Sequence, residues 1–284
     1  MTSDPTTEVE WSQSFKEIPG QTGFLDLPRE IRDLIYEYAF CVSGAIFVYS
    51  MDPYAVRPRI RAKIVREKGE GPVEPQAMGS SIPTALIRSC HQIHAECSDT
   101  LYGSNVFRMY MSNPIFAPGY LPFVRQIIFI ADADHRIYES DLDTVSHGWR
   151  RRFWPNVMEK AQALLHSFPN LDFISFPIKS RPGETWRPAF MASDRKTREQ
   201  RVSIAAAWMK ARCPFQDEHL RQCLHLEIMP ASDFTKESYE GSSFAPEDEW
   251  DHAEFTEAFE KMRSEGPVLQ AGTPESPLYY RPRP

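Results

Sequence analysis

Residues 123–131 read FVRQIIFIA, residues 154–168 read WPNVMEKAQALLHSF, and residues 171–178 read LDFISFPI. The two outer stretches are short apolar runs bounded by turn residues, as buried strands are. The middle one is longer and repeats its apolar positions at helical spacing. Strand, helix, strand in that order predicts neighbouring parallel strands joined by a right-handed crossover, because no tight turn can close a parallel pair. A further helix in DRKTREQRVSIAAAWMKARC (194–213) and a third apolar run, CLHLEIM (223–229), repeat the unit. The fold class expected is therefore α/β, with a small, mostly parallel strand and helix layer over residues 113–265. That layer ends in an acidic amphipathic helix within EDEWDHAEFTEAFEKMRSEG (247–266), with Phe255, Ala258, Phe259 and Met262 inward.

Toward the N-terminus, FLDLPREIRDLIYEYAF (24–40) places Ile31, Leu34, Ile35, Tyr38 and Ala39 on one helical stripe, and Pro28 suits the first turn. Taken alone, such a stripe is the inner face of a helix. AIFVYS (45–50) and VRPRIRAKIVREK (56–68) predict a β-hairpin, with Pro58 assigning the second strand to an edge. The Gly, Pro and Ser content from Gly69 to Pro83 reads as a long flexible loop. PTALIRSCHQIHAECSDTLYG (83–103) predicts one helix with Leu86, Cys90, Ile93, Cys97 and Leu101 in line, and NVFRMYM (105–111) predicts a strand. Residues 1–22 and the proline-rich residues 266–284 read as disordered tails.

Two segments, LDLPREIRDLIYEYAF (25–40) and LIRSCHQIHAECSDTLYGSNVFRM (86–109), contain an L-P-x-E-I-R-x-x-I-Y helix, a C-x-Q-I-H-x-E helix, and then L-Y-G before a strand. In this the chain resembles the F-box-like proteins of filamentous fungi. FVRQIIFI and FPNLDFISF also look like the strand openings of the leucine-rich-like regions in such proteins. The resemblance implies an F-box-like helical unit over residues 23–112, with an inserted hairpin and loop (41–83), followed by a leucine-rich-repeat-like layer. An ordinary F-box joins its helices by short loops, so the 41–83 segment is a departure. An F-box docks on a Skp-type adaptor, which joins it to a cullin ubiquitin ligase. By position, Leu25, Leu27, Pro28, Ile31 and Ile35 would form the docking surface, and Cys90 and Ile93 would belong to the second helix. The implied function is non-catalytic protein recognition, that of a substrate receptor whose sheet and acidic helix select an unidentified protein client. No cofactor is implied.

Charge is unevenly spread. The chain has 32 basic and 39 acidic residues, a net charge of −7. Residues 230–265 hold 11 acidic and 3 basic residues, leaving 28 acidic and 29 basic elsewhere. An overall polyanion-binding character is not indicated, and nucleic acid is disfavoured as a partner, although a local basic surface stays open. Five scattered cysteines with no C-x-x-C spacing fit a reducing compartment, cytoplasm or nucleus. No run approaches the roughly 18 apolar residues of a membrane span, and MTSDPTTEVE has neither the basic start nor the apolar stretch of a secretory signal.

Four further groups invite a chemical reading. Arg57, Arg59, Arg61 and Lys63 alternate along one strand, four cations within about 20 Å, able to hold phosphates or an acidic partner, this chain's own residues 247–260 included. They support an alternative function, an adaptor-independent scaffold binding an acidic partner or nucleic acid through a basic hairpin. A charge-protected edge strand explains them equally, and no aromatic residue alternates with them as a single-strand platform requires. Cys90, His94 and Cys97 share one helix, and Cys213, His219, Cys223 and His225 form C-x5-H-x3-C-x-H. Neither spacing is a standard zinc module, so no metal is assigned. Asp132, Asp134, Asp141 and Asp143 could hold a divalent cation for a hydrolase or transferase, but solvated loop carboxylates are the expectation. No G-x-S-x-G elbow, H-E-x-x-H helix, phosphate-cradling glycine loop or Rossmann fingerprint occurs, so an enzyme is not expected.

Overall fold

The apolar alternation noted above becomes strand pairing. A computed structural model describes residues 23–50, 59–110, 116–130, 134–179, 187–191, 196–215, 218–229 and 253–265. The readings at residues 1–22, Arg57, Pro58, Asp132, 230–252 and 266–284 lie outside the described residues. Strands β1 (Ala45–Ser50), β2 (Ile60–Val65), β3 (Gln76–Ala77), β4 (Val106–Met109), β5 (Gln126–Phe129), β6 (Phe173–Lys179) and β7 (Leu224–Met229) form one seven-stranded sheet in the order β3-β2-β1-β4-β5-β6-β7. The hairpin pairs β1–β2 and β2–β3 are antiparallel, and β1, β4, β5, β6 and β7 run parallel. The fold is thus mixed α/β with a mostly parallel sheet. The hairpin read as an insertion belongs to that same sheet, since Ala45, Ile46 and Phe47 pair with Val106, Phe107 and Arg108.

Register aligns one apolar residue from each of six strands, Ile64, Ile46, Phe107, Ile127, Ile174 and Leu224, in a single row. None is more than 4% exposed. Burying each side chain contributes ~2 kcal/mol, so this row is the spine of the core. The opposite face carries Lys63, Phe47, Arg108, Ile128, Ser175 and His225 in the next row. Period-two alternation makes the two faces chemically different.

The α-helices among the described residues are α1 (Arg29–Phe40), α2 (Met78–Ser81), α3 (Thr84–Ile87), α4 (His91–Gly103), α5 (Leu142–Gly148), α6 (Trp154–Ser167), α7 (Arg198–Lys210), α8 (Glu218–Cys223) and α9 (Ala253–Glu265). A π-helical turn, Trp149–Phe153, links α5 to α6, and its Trp149 packs edge-on against Phe190 and Trp208. The apolar face of α9 is as expected, with Phe255, Ala258, Phe259 and Met262 all buried. No helix among the described residues is long and apolar enough to cross a membrane.

Four sequence expectations change. The segment Gly69–Pro83 holds β3 and α2 and buries Ile82, so it is an ordered part of the sheet rather than a structureless loop. For the same reason β2 is an edge only in part, because β3 pairs with it at Lys63 and Ile64. The predicted helix over 83–103 breaks at Cys90, whose backbone is extended and whose Sγ accepts the Ile93 N–H at 3.5 Å as the cap of α4. The polar connection at Asp141 is the start of α5, and the Asp141 carboxylate accepts the Thr144 N–H at 2.8 Å.

The turn between β2 and β3 folds back over the second sheet face. Lys68 and Gly69 take positive φ there, and Lys68 Nζ reaches Glu227 at 3.1 Å on β7. Gly44 permits this approach, because at its φ of 93° a Cβ would lie 2.3 Å from the Val65 carbonyl oxygen.

Candidate functional site

Segments 25–40 and 86–109 meet in space through Arg32, Tyr36 and Glu96. On α1, Arg32, Tyr36 and Phe40 recur every four residues and face α4, and all three are buried. Arg32 donates from Nε and Nη2 to the two oxygens of Glu96 at 2.9 and 2.8 Å. Its Nη1 donates to the carbonyls of Leu25 and Leu27 at 3.1 and 2.6 Å. The Tyr36 hydroxyl donates to Glu96 at 2.8 Å, and Gln92 donates to the same carboxylate at 3.0 Å. One guanidinium therefore ties the Leu25–Leu27 turn, α1 and α4 together, in the bidentate geometry that arginine favours. The Arg32 hydrogen bond holds the Glu96 carboxyl down at about 2. Burial first, and then the bond to Glu96, pushes the Tyr36 phenol up to about 12. A second lock is Asn105, 2% exposed, whose amide donates to the Phe40 and Leu101 carbonyls and accepts the Val42 N–H, each at 2.8 Å.

With Arg32, Tyr36 and Phe40 turned inward, Ile31, Leu34 and Tyr38 on the opposite side of α1 lie outside. Leu25, Ile31, Leu34 and Tyr38 are 39, 44, 51 and 91% exposed. Pro28 is exposed as well, and Leu27 and Ile35 are half-buried. The inner-face reading of the stripe is thereby reversed at Ile31, Leu34 and Tyr38, whereas Ile35 and Ala39 are half-buried and Ala39 packs on the core. Of the residues assigned to a docking surface, Leu25, Pro28 and Ile31 stand open, and Leu34 and Tyr38, absent from that set, extend the same side. On the second helix Ile93 is buried, whereas Cys90 is exposed at the cap.

The basic strand is placed as the alternation predicts. Arg59 and Arg61 are exposed and Lys63 is half-buried. Arg57 lies outside the described residues. No aromatic residue alternates with these cations along β2, but across the hairpin Arg61 pairs with Tyr49 and Lys63 with Phe47. Lys63 Nζ sits 5.6 Å from the Phe47 ring centre and 5.5 Å from that of Tyr49. The signal was on the neighbouring strand. The α9 acids do not answer this strand: Glu254 accepts Arg201 Nε at 2.9 Å, and Glu257 pairs with Arg198, both on α7. The acidic helix is, at those positions, bonded within its own layer.

The metal candidates separate. His94 bonds the Ile87 carbonyl at 3.2 Å and the Tyr120 hydroxyl at 2.7 Å through its two ring nitrogens. Cys213 and Cys223 are buried, His219 is exposed, and His225 bonds Glu260 at 2.7 Å. Asp134 and Asp141 accept backbone N–H groups of Arg136 and Thr144. Among the described residues no three His, Cys, Asp or Glu side chains converge on a point where a metal ion could be held. Comparison with protein-family models, curated proteins and solved structures finds no match to this chain.

Proposed function

We propose that this protein is a non-catalytic protein-recognition protein whose N-terminal unit docks on a Skp-type adaptor, as a substrate receptor of a cullin ubiquitin ligase does. In this reading α1 and α4 belong to the F-box-like unit, and the parallel strands from β5 onward, with their helices, form the leucine-rich-repeat-like client side. One observation carries it: α1 buries Arg32 and Tyr36 while leaving Ile31, Leu34 and Tyr38 in solvent. Helices of single domains bury their apolar side, and a contiguous apolar surface held open marks an interaction site. The exposed side is the one on which the L-P-x-E-I-R-x-x-I-Y resemblance places adaptor contacts.

The test is size-exclusion chromatography with light scattering on the full chain mixed with a Skp-type adaptor at tens of micromolar. A stoichiometric complex is expected. Leu34→Asp, checked by circular dichroism for an unchanged fold, is expected to abolish it. Absence of a complex, or a complex that Leu34→Asp leaves intact, overturns the proposal.

A further inference from the structure

The strand β2 has six residues, and β3 pairs with two of them, Lys63 and Ile64. On its other side β2 is fully paired with β1, from Ile60 opposite Ser50 to Val65 opposite Ala45. The chain leaves the edge at Ala77, which caps α2, so the line of β3 is not continued past Ile60, Arg61 and Ala62 by any described residue. α2 packs against β2 beside this stretch, and between them lies a groove of about 390 Å³, bordered by Tyr49, Arg61, Ala62 and Lys63 on the sheet and by Ala77, Met78 and Gly79 opposite. An unpaired strand edge presents a row of N–H and C=O groups, a template onto which an extended segment can add.

The side chains along the edge state what such a segment carries. Arg61 and Lys63 share one face of β2 and Arg59 directly precedes the strand, and no carboxylate is paired with any of them among the described residues. Ile60, 39% exposed, projects to the other. A strand added here therefore meets cations on one side and an apolar surface on the alternate side. Single-stranded nucleic acid fits less well, because the Phe47 and Tyr49 rings stack on each other and carry the chain's own Lys63 ammonium, which leaves no clear platform for a base.

We propose that the open edge of β2 takes an extended, alternating acidic and apolar peptide segment of a partner protein as an added strand. This site is separate from the outward side of α1 and goes beyond adaptor docking. Backbone pairing beside Ile60, Arg61 and Ala62 supplies the attachment, and Arg61, with Arg59 just before the strand, favours acidic residues facing them.

The probe is a fluorescein-labelled ten-residue peptide alternating glutamate and valine, titrated with the full chain and read by fluorescence anisotropy. Saturable binding is expected, weakened about tenfold in an Arg59→Glu/Arg61→Glu double variant, since reversed rim charges repel the acidic strand. Both substitutions are at exposed positions, and circular dichroism checks that the fold is kept. Peptides N-methylated at every second residue, prepared in both phases, separate strand addition from charge attraction. One phase is expected to lose binding and the other to keep it. Leu34→Asp is expected to bind the probe as the parent does, so adaptor docking and strand addition can fail independently. No binding overturns the proposal, as does equal binding by both methylated peptides, or tighter binding of a ten-nucleotide oligothymidine than of the peptide.

Discussion

Replacing Glu96 by Gln isolates the charge of the lock between the two helices while keeping its shape. The Glu96 side chain is 8% exposed and accepts four hydrogen bonds, two from Arg32 and one each from Tyr36 and Gln92. Gln can keep one carbonyl acceptor, but its amide is set against donors. Because the Arg32 hydrogen bond holds the carboxyl at about 2 in the folded protein, against an ordinary value near 4.5, the charge stabilises the fold. Counted in full, a depression of that size corresponds to ~3 kcal/mol. Two of the groups that contact the carboxylate, Arg29 and Gln92, are themselves exposed, so screening reduces the expected cost of Glu96→Gln to about 2 kcal/mol at pH 7. The sign follows from linkage. A depressed carboxyl stabilises above its unfolded value and loses that contribution as pH falls from about 4.5 toward 2. Urea denaturation of parent and variant at pH 7 and pH 3 should show a gap that shrinks to less than half at the lower pH. A gap unchanged between the two, or absent at pH 7, would refute the account of the lock.

Two further outcomes test the packing. Asn105→Asp keeps the volume but replaces two donated hydrogen bonds with a carboxylate facing the Phe40 and Leu101 carbonyls. It should cost ~3 kcal/mol in urea denaturation, and a loss below ~1 kcal/mol would contradict the double cap. Of the five thiols, Cys41 and Cys90 are exposed and Cys97, Cys213 and Cys223 are buried, with burial pushing the Cys213 thiol up. An aromatic disulfide reagent should therefore modify two thiols in the folded protein and all five in urea, and rapid reaction of a third would displace one from the core.

The sheet was legible where its signal is local. FVRQIIFIA and CLHLEIM announce β5 and β7 by their own apolar content, and Phe255, Ala258, Phe259 and Met262 announce the inner side of α9. What depends on partners far along the chain was not. The stripe of α1 reads inward by hydrophobicity, yet the helix turns its other side in, burying Tyr36 and Phe40 in the core while Arg32, paired with Glu96 across 64 residues, is buried beside them. The aromatic neighbours of Arg61 and Lys63 come from β1 by register, which no inspection of β2 alone supplies. Cys90 looked like the middle of a helix because thiols fit an apolar stripe, and its capping role shows only in its extended backbone.

The Arg32 bonds to the Leu25 and Leu27 carbonyls carry a kinetic meaning. They anchor the turn that leads into α1, so the side bearing Leu25, Ile31 and Leu34 has its shape before anything lands on it. Ordering a rotamer-rich interface side chain on association costs ~0.5–1.5 kcal/mol, and backbone ordering adds to that. Here much of the backbone ordering is already done in folding, by contacts on the far side of the helix. Under the adaptor-docking proposal, such a surface would capture its partner by rigid encounter rather than by folding around it, and selectivity would rest on fit at first contact.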